Sequence, residues 1–300
     1  MARGAPWRAQ VHLRDNLDVL REIPDASIDL IYIDPPFNTG QRRTAARERA
    51  VRDATATRVG FGGRRYRTTR GPTRAFADAR EDYLGFLAPR LREAHRVLAR
   101  HGTLYVHLDP REAHYVKVCL DGIFGRAAFL NEVIWAWDYG GRGRDRWPRK
   151  HDDILVYVKR PGAHRFRWDA ITRIPYLAPG LVTSAKAARG KVPTDTWWHT
   201  IVPTGGRERT GYPTQKPLGI LRRIIEASSA PGDLVCDFFA GSGTTGVAAL
   251  EAGRRCLLVD DNPEAIAVMR ERLAGFAGVR WVPAPRARRA ARAVRSRASR

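Results

Sequence analysis

A doubly wound α/β domain on a mostly parallel sheet is the fold class the sequence predicts, and three observations predict it. Short β-rich apolar runs alternate with helix-spaced ones, one such run ends in a glycine-rich turn that opens a helix, and another ends in Asp34-Pro35-Pro36-Phe37. Taken in order, a first strand precedes Arg14, and Ile28–Ile33 (IDLIYI) is a second, cut off by the two prolines. Leucines and aromatics at helical spacing predict a helix over Tyr83–Leu98. Thr103–Leu108 (TLYVHL) reads as a strand and His114–Phe124 as a helix. Glu132–Trp137 and Ile154–Val158 (ILVYV) are two further strands, and Lys216–Ser229 is a helix. Leu234–Asp237, Thr244–Glu251, Arg255–Asp260 and Pro263–Leu273 then complete strand, helix, strand, helix.

Two stretches break this rhythm by composition. From Arg42 to Arg80 there are twelve arginines against Glu48, Asp53 and Asp78, with almost no apolar periodicity, which predicts a flexible basic loop over 41–80. From Arg286 to Arg300 there are seven arginines and no acid, which reads as a solvated tail or a non-specific phosphate-binding arm. The expected organisation is therefore a first half over 8–159 carrying the Pro-Pro turn, an insertion over 160–212 rich in Pro, Trp and Arg, a second half over 213–282 carrying the glycine turn, and a basic tail over 283–300.

With 43% hydrophobic residues the 300-residue chain can bury a core, yet no run approaches the roughly 18 apolar residues of a membrane helix. The first ten residues lack the apolar stretch of a secretory signal, and Cys119, Cys236 and Cys256 each stand alone in apolar runs. The expectation is a cytoplasmic, nucleoid-associated protein with no disulfide frame, no metal site and no membrane partner. Lys plus Arg exceed Asp plus Glu by 53 to 31, a formal net charge of +22. An arginine-rich coding bias competes as the explanation, but the charge is clustered, which favours a polyanionic partner.

The glycine turn is the more diagnostic feature. Leu234 to Asp237 leads into Phe238-Phe239-Ala240-Gly241-Ser242-Gly243-Thr244-Thr245-Gly246, and Gly241, Gly243 and Gly246 spell the GxGxxG pattern of dinucleotide sites. A carboxylate at Asp237, directly before the turn, would repel a pyrophosphate but suits an ammonium group. Asp260, ending the next strand, is placed to accept from two ribose hydroxyls. A ligand with an amino-acid end, a nucleoside end and no phosphate satisfies both acids, and S-adenosylmethionine is that ligand.

Asp34-Pro35-Pro36-Phe37 follows a buried strand and so lies at the carboxyl edge of the sheet. Two prolines remove two N–H donors and leave carbonyl oxygens and the Asp34 carboxylate as bare acceptors. Such a pocket fits an exocyclic amine: Asp34 and the Pro35 carbonyl hold its two hydrogens and aim its lone pair at an electrophilic methyl, while Phe37 offers a face for the base. Alone, the motif also reads as a strand-ending turn with an incidental aspartate.

On these residues the chain resembles the β class of amino-methylating (N6-adenine or N4-cytosine) site-specific DNA methyltransferases. In that class the Asp-Pro-Pro-aromatic turn precedes a target-recognition segment, which precedes the cofactor turn, as Asp34–Phe37 precedes Asp237–Gly243 here. The likeness runs from about Arg14 to Arg272 and includes Tyr32–Gly40 (YIDPPFNTG) and Tyr212–Pro217 (YPTQKP). It implies a Rossmann-like, circularly permuted methyltransferase fold. Gln215, Lys216 and Pro217 would line the methionine end of the cofactor. Thr244 and Thr245 match the pair that opens the following helix, Phe239 belongs to the cofactor turn, and Asp15 matches an acid near the adenine. Asp15 also reads as a helix N-cap. Phe238 departs from the family, which usually has proline there.

The implied activity is methyl transfer to adenine N6 in double-stranded DNA by base flipping, Asp rather than Ser at the head of the turn favouring adenine; N4-cytosine is the alternative. Methylation of a cytosine carbon is disfavoured, since no cysteine follows a proline. An RNA amino-methyltransferase would show the opposite motif order, a nicotinamide oxidoreductase would use the literal GxGxxG, and a DNA-binding module would need only the charge. A homodimer and a cognate restriction endonuclease are the remaining expected partners. Trp135, Trp137, Trp147, Trp168, Trp197 and Trp198 interleave with arginines, a pattern that fits nucleic-acid contact, although Trp135 and Trp137 on a strand suit a core better.

Overall fold

The computed structural model describes residues 7–38, 41–59, 65–78, 81–141, 143–203 and 206–283. Strand β1 (Ala9–Leu13), helix α1 (Asn16–Glu22) and β2 (Ile28–Ile33) open the chain, followed by β3 (Gln41–Arg52), β4 (Arg58–Val59) and β5 (Arg65–Asp78). Next come α2 (Tyr83–Val97), β6 (Leu98–Leu108), α3 (Pro110–Phe124), β7 (Phe129–Ala136) and β8 (His151–Val158). After the short α4 (Ser184–Arg189) and β9 (Thr196–Trp198) the chain returns through α5 (Leu218–Ser228), β10 (Leu234–Asp237), α6 (Thr244–Glu251), β11 (Arg255–Asp260), α7 (Pro263–Leu273) and β12 (Val279–Val282).

Among the described residues nine strands form one sheet in the order β12-β1-β11-β10-β2-β6-β8-β7-β9. From β12 to β6 every neighbour runs parallel; β8 alone is reversed, antiparallel to both β6 and β7. Period-two alternation sorts the strand residues into two apolar layers. Leu30, Tyr105 and Val235 face α5, α6 and α7, while Ile31, Leu104 and Cys236 face α1, α2 and α3. The chain moves from β2 through α2 to β6 on one side and from β10 through α6 to β11 on the other. The switch point of the topology thus falls between β2 and β10, where open α/β sheets place ligands.

Local chemistry sets the helix starts. Asp15, Asp82, Asp109 and Asn262 each accept a backbone N–H of the first turn they precede, and Pro110 and Pro263 sit where a missing N–H costs nothing. The predicted helices and strands from Ile28 onward all appear, with small changes at their ends.

One expectation is overturned. The arginine-rich stretch 41–80, read as a flexible loop, carries β3, β4 and β5, which make a separate three-stranded sheet with Gln41 opposite Asp78 and Arg52 opposite Tyr66. Antiparallel pairing satisfies backbone groups whatever the side chains carry, so a hairpin polar on both faces escapes a search for apolar periodicity. The segment 160–212 contains irregular chain and α4, but β9 extends the main sheet, with Trp197 opposite Trp135. Arg167 N–H also donates to the Ala227 carbonyl of α5 at 2.7 Å. The basic tail over 283–300 lies outside the described residues apart from its first position.

Candidate active site

Four adjacent strands, β1, β11, β10 and β2, end at the same edge of the sheet, and each delivers an acid there: Asp15 just after β1, Asp260, Asp237, and Asp34 just after β2. Together they border a cavity of about 710 Å³. The buried Asp237 accepts from Phe239 N–H at 3.0 Å and from the Thr245 hydroxyl at 2.6 Å. Burial, reinforced by the charges of Asp34 and Asp260, pushes its carboxyl up to about 7. Asp260 accepts from the Gly241 and Asn262 N–H groups at 2.8 and 2.9 Å, and burial pushes it up to about 6. A hydrogen-bond donor or a cation arriving beside either group would favour its ionised form.

The Pro-Pro turn closes the other side. Lys216 forms an ion pair with Asp34 Oδ2, and its Nζ lies 4.6 Å from the centroid of the Phe37 ring. Asp34 Oδ1 is buried and has no hydrogen-bond partner among the described residues. An acceptor left open at a buried position is costly unless a donor arrives there, so the carboxylate is half engaged and half open. The Asn38 side chain donates to Glu112 at 2.8 Å and ties the turn to α3.

At the far end, Arg90 is held by Asp15 at 2.8 Å and by Asn16 Oδ1 at 2.5 Å, and its guanidinium lies 3.9 Å from the centre of the Phe86 ring. Phe239 tilts against Phe86 at 6.0 Å. Asp15 therefore satisfies both of its sequence readings, capping α1 through Leu17 N–H and lining the cavity. Tyr212 packs over the glycine turn: a Cβ on Gly241, whose φ is +48°, would meet the Tyr212 ring at 3.3 Å.

The structure gathers most of the predicted site residues in this cavity: Asp15, Asp34, Pro35, Pro36, Phe37, Lys216, Asp237, Phe239, Gly241, Thr244, Thr245 and Asp260 all line it. Three do not. Gln215 turns away, accepting from Thr210 N–H at 2.9 Å and donating to the Glu208 carbonyl at 2.6 Å. Pro217 precedes α5 as its N-cap residue, and Gly243 serves packing, since a Cβ there would lie 2.6 Å from Met269 Cγ. Sequence reasoning missed Tyr32, Asn16, Phe86, Arg90 and Tyr212. Tyr32 is two residues before Asp34 on the same strand face, where strand alternation could have found it, Asn16 follows Asp15 directly, and Tyr212 heads the YPTQKP string; Phe86 and Arg90, one turn apart on α2, carry no local signal.

The fold and this site define an α/β protein with an acidic cavity at the ligand edge of its sheet, and the likeness to known proteins gives its class. The chain belongs to the DNA methylase family of N6-adenine and N4-cytosine enzymes, whose model matches residues 28–271. Among curated relatives it is 32% identical to the Type II methyltransferase M.HpaI of Haemophilus parainfluenzae over 258 residues, 86% of this chain and 71% of that one. It is 28% identical to the DNA adenine methyltransferase YhdJ of Escherichia coli over 272 residues, 86% of this chain and 80% of the relative. Among solved structures, a putative DNA modification methylase from Thermus thermophilus, complexed with S-adenosyl-L-methionine, superposes with a TM-score of 0.58 at 21% identity. The superposition covers 93% of this chain and 99% of that one, and at that identity shows the fold. No helix among the described residues is long and apolar enough to cross a membrane.

Proposed function

We propose that the protein transfers a methyl group from S-adenosylmethionine to N6 of a flipped adenine in double-stranded DNA. The observation that carries this reading is Asp34: one carboxylate oxygen is held by Lys216 and the other, buried beside Phe37, lacks a donor among the described residues. The cofactor reading is supported by the carboxylates of Asp237 and Asp260, which fit a ligand bearing an ammonium group at one end and ribose hydroxyls at the other. When bound, S-adenosylmethionine supplies an electrophilic methyl on a cationic sulfur.

The residues of the chain do the rest by placement. Asp34 Oδ1 and the Pro35 carbonyl accept the two hydrogens of the amine, concentrate its lone pair and point it across the cavity. Lys216 holds Asp34 in place through its ion pair, and Phe37 supports the base. As the N–C bond forms, the sulfur takes back the electron pair of its broken bond. The amine becomes acidic only then, so Asp34 need not remove a proton beforehand, and that proton passes to water. The target amine lies within the base stack of a duplex, which makes extrusion necessary at a cost of a few kcal/mol.

Adenine rather than cytosine is favoured by Asp at the head of the turn and by the similarity to YhdJ. The similarity to a Type II methyltransferase suggests a restriction endonuclease of the same specificity as a functional counterpart. Incubation with duplex DNA and tritiated S-adenosylmethionine, followed by nucleoside analysis, tests the reading. Label in N6-methyladenine is the expected result. Label in N4-methylcytosine would replace adenine by cytosine, and no label in DNA would overturn the reading.

A further inference from the structure

Three polar side chains cross the sheet beneath this site. Tyr32 on β2, His107 on β6 and Asp152 on β8 occupy neighbouring strands and the same face. The Tyr32 hydroxyl lies 2.8 Å from His107 Nδ1, and His107 Nε2 lies 3.1 Å from Asp152 Oδ2. His107 is fully buried, and Tyr32 is 2% exposed. Around them the layer is apolar, and the His107 ring packs edge-on to Trp135 at 5.4 Å and tilted to Phe37 at 6.0 Å. Residues of similar volume but without polar atoms would fill this layer at least as stably, so a buried polar chain here asks for a further reason.

Its bonding has a fixed direction. The Asp152 carboxylate only accepts, so the His107 proton sits on Nε2 and Nδ1 is left as an acceptor. Nδ1 in turn accepts the hydrogen bond that the Tyr32 hydroxyl donates, and the Tyr32 oxygen keeps lone pairs alone for whatever lies on its other side. Tyr32 lines the cavity, and it stays a neutral phenol, because burial and the nearby charges of Asp34, Asp237 and Asp152 hold its ionisation well above the usual tyrosine range.

We propose that the Tyr32–His107–Asp152 chain makes Tyr32 a third acceptor of the amine pocket, one that helps the site choose a base bearing an amino group over one bearing a carbonyl oxygen. Tyr32 touches the base, and His107 and Asp152 are positioning residues that keep the hydroxyl proton turned away from it. Asp34 Oδ1 and the Pro35 carbonyl take the two hydrogens of the amine, the Tyr32 oxygen shares one of them as a second acceptor, and all three oxygens repel a carbonyl oxygen at the same place. The inference rests on the proposed amine-methylating reading and extends it to base selection.

The test compares two duplexes that differ only at the methylated position: one carries the base that the wild-type protein methylates, the other its carbonyl analogue, hypoxanthine for adenine or uracil for cytosine. Binding of each is measured with S-adenosylhomocysteine present, and affinity for S-adenosylmethionine is measured separately. Wild type is expected to prefer the amino base by about tenfold or more, and Tyr32→Phe to reduce that preference by about five- to tenfold. His107→Phe keeps the ring contacts but frees the Tyr32 proton to turn into the pocket, so it should raise affinity for the carbonyl base. Asp152→Asn retains an acceptor for Nε2–H and should behave as wild type. In all three variants the affinity for S-adenosylmethionine should stay within about twofold, which reports an intact fold independently of turnover.

If both phenylalanine variants bind cofactor normally and keep the wild-type preference, the inference is wrong. Should His107→Phe fail to fold, Tyr32→Phe, which removes a single oxygen, decides alone. Wild type that methylates DNA while these variants keep its preference refutes only the role of the chain. Wild type that methylates no DNA removes the underlying reading and this inference with it.

Discussion

Acidification should weaken cofactor binding, and the two raised carboxyls set by how much. Burial pushes the carboxyl of Asp237 up to about 7 and that of Asp260 up to about 6. An ammonium group on Asp237 and ribose hydroxyls on Asp260 both need the ionised form, so below each value a proton must be lost on binding, at about 1.4 kcal/mol, or tenfold in affinity, per pH unit. Between about pH 7.5 and about pH 6 this amounts to about eightfold from Asp237 and about twofold from Asp260, some fifteenfold together. The cofactor-free protein should show the opposite trend: both groups titrate higher in the folded than in the unfolded chain, so their contribution to stability is complete below about pH 4 and is lost as pH rises through about 6 to 7. Calorimetric titration with S-adenosylmethionine across this range reads the first effect and thermal unfolding without cofactor reads the second. Asp237→Asn, neutral throughout, should bind weakly and leave only the twofold dependence of Asp260. A wild-type affinity that is flat between these pH values, or that improves on acidification, would refute the assignment of these carboxylates to the cofactor.

Other consequences are simpler to read. Lys216→Met removes the cation that holds Asp34 Oδ2 and should lower kcat by about a hundredfold, with DNA affinity changed by less than about threefold; an unchanged kcat in single-turnover assays would remove Lys216 from the chemistry. Gly243→Ala forces a Cβ against Met269 at a φ of +74° and should cost about 1–3 kcal/mol in denaturant unfolding. Binding to duplex DNA should fall about a thousandfold between about 50 and 200 mM salt, the loss for about six phosphate contacts, and filter binding showing a shallow salt dependence would count against a duplex partner for the +22 charge.

How much of this was readable in the sequence follows from where the information is local. The order of strands and helices was legible because each buried strand is a short apolar run closed by Pro or Gly, as in Ile28–Ile33 before Pro35 and Leu234–Asp237 before Gly241. The acids Asp34, Asp237 and Asp260 were legible for the same reason, since a residue ending a parallel strand is carried to the ligand edge by topology alone. Arg90 and Phe86 reach the cavity from α2, and no spacing in the chain announces that meeting. The hairpin of β3 and β5 was hidden because its pairing is a backbone property, and β9 because three residues are too few to show alternation. Gln215 and Pro217 show the reverse case: resemblance carried them to the cofactor, and the hydrogen bonds of Gln215 to Thr210 and Glu208 turn it elsewhere.

The central claim is that the Asp34–Phe37 turn is where a DNA amine meets the transferred methyl, and one measurement addresses it most directly. Methyl transfer from tritiated S-adenosylmethionine to duplex DNA is compared for wild type and Asp34→Ala, together with the affinity of each for DNA and for cofactor. Asp34 acts chiefly as the transition state forms, so the variant should lose turnover by about three or more orders of magnitude while both affinities stay within about threefold. Near-normal turnover by Asp34→Ala, with label still entering an exocyclic amine, would contradict the account.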